Sequence, residues 1–220
     1  MKIKDTLKML KYSQNYILNI LAIGLFLITG LLTSFPVPLR SHSVLGAFWA
    51  NYLSGYLVAQ ITAVTFSGVI QSSESFKKMM TKNMSVIILI CNMISFVCFC
   101  VLRTVLAYAL GVEENLDLYL ISFMIFQVLE ILCVAVLYKI MVLGIFCAIP
   151  LFATILFSTW DGFGKIGVLC SDPKILVAMT FVTCLLTPLM YYGVSMVLYK
   201  KPYVGKFGRL EVTDDRKLQP

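Results

Sequence analysis

Two charged side chains lie inside apolar runs, and they are the first places to look for chemistry. Glu130 falls about 12 residues into the run that begins at Leu118, and Arg103 stands about seven residues before the end of the preceding run. A charge at membrane depth is a functional candidate by default, because an idle one is costly to keep there. At about 1.5 Å of rise per residue the two reach depths roughly 8 Å apart, a gap that a long arginine narrows. Direct pairing is one reading. In the other, Arg103 extends outward to the interface, and Glu130 is held by Gln127 or by a neighbouring helix. A lone carboxylate that couples a proton to transport is the sharpest functional form of Glu130.

Nothing else in the sequence resembles a catalytic set. Glu113 and Glu114 are adjacent carboxylates, but they belong to an acidic loop, GVEENLD, with no histidine or other base beside them. The single histidine, His42, excludes a histidine-based metal site within one chain. No GxxxxGK[ST] sequence occurs, so the chain holds no P-loop for ATP. The reading is a protein that is not an enzyme and needs no cofactor or metal.

The elements that must position these residues are apolar helices. Hydrophobic residues make up 60% of the chain and charged residues 13%, with a mean hydropathy of +0.90. That composition belongs to an integral membrane protein. The net charge of +7 marks membrane orientation here and does not point to nucleic acid. Six of the seven cysteines (Cys91, Cys98, Cys100, Cys133, Cys147 and Cys184) sit in apolar runs, where small packing residues are the expected role, and only Cys170 falls in a loop.

Residues 1–16 carry Ile3, Leu7 and Leu10 on one helical face and Lys4, Lys8 and Lys11 on another, a pattern suited to an amphipathic helix lying on the membrane. The following run, 17–34, is long enough to span, and it lacks a small-x-small cleavage pattern, so it is expected to be retained. A second span, 44–70, is polar for its type, with Asn51, Gln60 and Thr65 among its residues and Gly46, Gly55 and Gly68 as close-packing positions. A third span covers 84–109. The run from Leu118 to Ser158 is too long for one crossing of roughly 30 Å and divides into a fourth and a fifth span. Residues 160–174 form either a short half-helix or a glycine-rich loop, a sixth span covers 175–198, and 200–220 is a polar tail.

Six spans place both termini on one side. Fourteen of the lysines and arginines then share that side, against Arg40, Arg103, Lys165 and Lys174 on the other. The positive-inside rule therefore makes it the cytoplasm of a multi-pass protein of the cell membrane. The expected fold is all-α: an interfacial helix (1–16), a six-span domain (17–199) and a cytoplasmic tail (200–220).

One short polar stretch stands on the cytoplasmic side between the second and third spans: SSESFKKMMTKN, residues 72–83. A serine can cap a helix there, and Glu74 falls where the helix dipole favours an anion. Phe76, Met79 and Met80 form one apolar face, with Lys77, Lys78 and Lys82 beside it.

This layout resembles the membrane subunit of ATP-binding-cassette exporters of the type 2 class. The correspondence rests on the amphipathic helix at 2–14, the run from Val69 to Thr81 with its serine pair, basic residues and threonine, and the segment 160–174 between the last two spans. The resemblance implies a permease that couples to a separate cytosolic ATPase through residues 73–82, with Ser73, Glu74, Phe76, Lys77, Lys78 and Met80 at the contact. It also implies a second membrane subunit, identical or not, and a path lined in part by Asn51, Gln60 and Thr65, which serve equally well as interhelical hydrogen-bonding groups. A peptide, a drug or a lipid fits such a path. The alternatives are a self-contained secondary carrier or channel, and a membrane scaffold or sensor subunit.

Overall fold

A computed structural model of the chain describes residues 3–8, 16–37, 40–64, 75–113, 115–139 and 172–198. Among them there are helices and turns and no strand. The expected fifth span, most of the 160–174 connection and the tail lie outside the described residues.

The helices are α1 (Ile3–Lys8), α2 (Tyr16–Thr33), α3 (Arg40–Val64), α4 (Ser75–Lys78), α5 (Met84–Ser95), α6 (Leu102–Leu110), α7 (Leu116–Lys139) and α8 (Pro173–Leu198). Two π-helical stretches, Met79–Asn83 and Phe96–Val101, join α4 to α5 and α5 to α6. One helical rod therefore runs from Ser75 to Leu110. The polar stretch seen in the sequence is in part the first turns of this rod and not a separate short helix.

Local chemistry sets the ends of these helices. Gly111 adopts a left-handed φ of 65°, and the Val112 N–H returns to the Ala107 carbonyl at 3.0 Å, closing α6 with a Schellman turn. Asp172 caps α8 by accepting from the Lys174 N–H at 3.0 Å, with Pro173 at the first helical position, where a missing N–H costs nothing. At the end of α2, Ser34 bonds back to the Gly30 carbonyl at 2.7 Å before Pro36 stops the chain from continuing.

Met79–Leu110, Leu116–Cys133 and Pro173–Val197 are long and apolar enough to cross a membrane, as a membrane protein requires. A shorter apolar helix, Ile20–Thr33, lies within α2.

α7 is the centre of the bundle and packs against α3 on one side and α8 on the other. Asn51 of α3 meets Phe123 of α7, and Gly55 meets Glu130, so the two helices run in the same direction. Asn92 of α5 meets Thr187 of α8, and Met80 meets Tyr191, so those two run in opposite directions. The main core gathers Phe99, Tyr119, Phe123 and Phe126, and a second cluster lies around Ile61, Met84, Ile88 and Ile131.

Candidate functional site

At one end of the bundle lies Arg103, only 1% exposed. It donates from Nη1 to the Phe35 carbonyl at 2.8 Å, with a longer 3.4 Å contact to the Thr33 carbonyl, and from Nη2 to Ser43 Oγ at 2.8 Å. Its guanidinium also lies 4.8 Å from the centre of the Tyr119 ring. The last carbonyls of α2 have no intrahelical donors, and a cation at a helix C-terminus is favourable. Arg103 thus closes α2 and ties it to the start of α3. Of the two sequence readings, neither describes it: among the described residues it does not pair with Glu130, and its head is buried in the protein instead of extending to the interface.

Glu130 sits elsewhere, about 14 residues or roughly 21 Å along α7 from Leu116. Its carboxylate lies against the backbone of Gly55. A Cβ at residue 55 would collide with the carboxylate, so the missing side chain of glycine is what lets α3 and α7 approach there. Gln127, one expected partner of Glu130, points instead to α8, where it meets the Cys184 sulfur at 3.3 Å.

An aromatic wall that the sequence reading missed adjoins this carboxylate. Trp49, Tyr52 and Tyr56 recur at i, i+3 and i+7 on α3, with Tyr52 and Tyr56 within one turn of Gly55. Phe26 of α2 packs on all three, with ring centres 5.7, 4.7 and 5.2 Å away. Tyr52 and Tyr56 flank Gly55, against which the Glu130 carboxylate lies. The four rings are partly buried. The periodicity was visible in the sequence, but only the neighbouring α2 and α7 give it a carboxylate and a fourth ring.

The residues expected along a path are distributed differently. Asn51 is buried and donates to the Ala47 and Phe123 carbonyls, both at 3.0 Å, which makes it a tie between α3 and α7. Gln60 is half-buried on the same helix. Thr65 lies outside the described residues.

The opposite end of the bundle holds the basic stretch. Lys77, Lys78 and Lys82 are exposed, while Met79, Met80, Thr81 and Asn83 are buried. Met80 therefore packs inside this chain, and its carbonyl accepts from the Tyr191 hydroxyl at 3.1 Å. Asn83 donates to the buried Thr6 hydroxyl of α1 at 3.0 Å, so α1 is docked on the π turn. Ser85 donates to the Pro188 carbonyl at 2.7 Å one turn further on. Phe76 is helical in backbone, and Ser73 and Glu74 lie outside the described residues.

The arrangement can do two things. The basic end presents cations in front of a turn fixed to both α1 and α8. The middle of the bundle holds a carboxylate beside aromatic rings. Among the described residues, no group of three or more His, Cys, Asp or Glu side chains converges. No family model, curated protein or solved structure matches the chain.

Proposed function

We propose that this chain is the permease subunit of an ATP-powered exporter, with six spans and both termini in the cytoplasm. In this reading it works with a second membrane subunit and a separate cytosolic ATPase. The observation that carries the reading is the construction of the basic end. Lys77 and Lys78 project from the first turn of a rod that continues to Leu110, and the turn behind them is bonded to α1 through Asn83 and to α8 through Met80. A push from a cytosolic partner on α4 would reach three elements at once. Motion between packed helices is the ordinary means by which a bundle passes such a push on. The buried Met80 restricts the contact surface to Lys77, Lys78 and their exposed neighbours.

Capture of an ATPase by the tagged full-length chain, from membranes of its own source, tests the proposal. The expected result is a P-loop ATPase that the double variant K77E/K78E no longer brings down. The reading fails if no ATPase is captured and the double variant leaves the chain's transport or resistance phenotype unchanged.

Glu130 favours a second reading, a self-contained carrier in which this carboxylate takes up a proton during transport. Transport by the purified chain in liposomes that depends on an imposed proton gradient and needs no ATPase would establish it.

A further inference from the structure

We infer that the face of α3 and α7 around Glu130 binds a lipophilic organic cation. The inference deepens the permease reading by naming a substrate class, and it rests on that reading only for the step from binding to export.

Three observations converge. First, Glu130 lies within Leu116–Cys133, the part of α7 that is long and apolar enough to span, three residues before its end, where an ionised carboxylate needs a compensating charge. Among the described residues no lysine or arginine supplies one: Arg103 is engaged with Phe35 and Ser43. Secondly, the rings beside it are of the kind that attract cations. The face of an aromatic ring is electrostatically negative, so rings and a carboxylate in one place are mutually unfavourable until a positive charge lies between them. Tyr52, Tyr56, Trp49 and Phe26 form such a wall, and Tyr52 and Tyr56 flank Gly55, against which the Glu130 carboxylate lies. Thirdly, these rings and Glu130 are all only partly buried.

The same inventory selects among cations. A hard metal ion requires about six oxygen ligands, and one carboxylate with ring faces does not provide them. A delocalised or alkylated cation loses little hydration on entering, and its apolar body suits the membrane depth of the site. A lipid headgroup carries a similar charge, and competition by phosphatidylcholine separates the two sources.

The test is equilibrium binding of radiolabelled tetraphenylphosphonium to the purified full-length chain in maltoside micelles, without any ATPase. Saturable binding is expected for the wild type. E130Q should weaken it by about tenfold or more, while E130D should hold it within about threefold. Y52L should weaken it severalfold and Y52F should not, because the ring and not the hydroxyl meets the cation. Thermal midpoints of all four variants are measured alongside, and Y52L keeps the test decisive if E130Q fails to fold. Absence of saturable binding overturns the inference, and so does E130Q binding as tightly as the wild type. Displacement of the probe by excess short-chain phosphatidylcholine also overturns it, assigning the site to a headgroup. Failure to capture an ATPase would instead count against the permease reading and leave these binding results standing.

Discussion

Arg103 of α6 and Phe35, in the turn after α2, are joined by a 2.8 Å hydrogen bond from guanidinium to backbone carbonyl. This bond assigns one of the two embedded charges to architecture. A helix that stops at membrane depth or at its edge leaves carbonyls without donors, and water is not there to satisfy them. Arginine suits the task because its planar fork can reach Phe35, Thr33 and Ser43 from one side chain while its face rests on Tyr119. Among the described residues Glu130 has no comparable set of bonds.

Replacing Arg103 with Met should destabilise the protein by about 2–4 kcal/mol, because the change leaves the buried Ser43 hydroxyl and the part-buried Phe35 and Thr33 carbonyls without their donor. R103K should recover less than half of this, since a single ammonium cannot serve acceptors in that fork geometry. Thermal unfolding in detergent measures both. An R103K protein as stable as the wild type would show that charge alone suffices and that the fork is irrelevant.

Gly55→Ala should cost about 1–3 kcal/mol through overpacking against Glu130. The loss should shrink in the double variant G55A/E130A, where the colliding carboxylate is gone. A double-mutant cycle reads the difference as a coupling of about 0.5 kcal/mol or more. Strict additivity of the two substitutions would mean that Gly55 and Glu130 do not meet in the folded protein.

The helical class and three of the spanning helices were legible in the sequence because long apolar runs leave few alternatives in a bilayer. The cap at Asp172-Pro173 and the stop at Pro36 are also written in local residue types. Partnerships between helices are a different matter. Gln127 was an expected partner for Glu130, yet it turns to Cys184, because which of two residues three apart faces a given neighbour depends on helix rotation. The polar residues of α3 suggested a path, and the Asn51 amide donates to the Phe123 carbonyl of α7. The π turn at Met79–Asn83 has no sequence signal; it shifts the register so that Met80, read as part of a docking face, points into the bundle.

The exposed lysines allow a clean separation of folding from coupling. K77E/K78E should leave the thermal midpoint nearly unchanged, with an effect within about 0.5 kcal/mol, because neither side chain is buried. The same variant should abolish ATPase capture, since reversing two charges at a contact introduces repulsion where attraction is required. Capture that survives the reversal at wild-type yield would remove these lysines from the interface.

Tyr191→Phe removes the hydroxyl that donates to the Met80 carbonyl, a bond that ties α8 to the π turn. The Met80 carbonyl then loses its side-chain donor in a buried setting, at a cost of about 1 kcal/mol. The effect should be local. Tyr191 and Met80 lie at the basic end, and Arg103 with its partners lies at the other, so the two regions share no bond. Amide hydrogen exchange should therefore rise severalfold in a peptide covering residues 79–84 and stay unchanged around residues 33–43. In the permease reading Y191F should also lower substrate-stimulated ATP turnover while leaving ATPase capture intact, because Lys77 and Lys78 are untouched and only the link from the turn to α8 is weakened. Exchange that rises equally at both ends would mean that Y191F loosens the whole bundle, and the idea of a discrete mechanical link at Met80 would have to be abandoned.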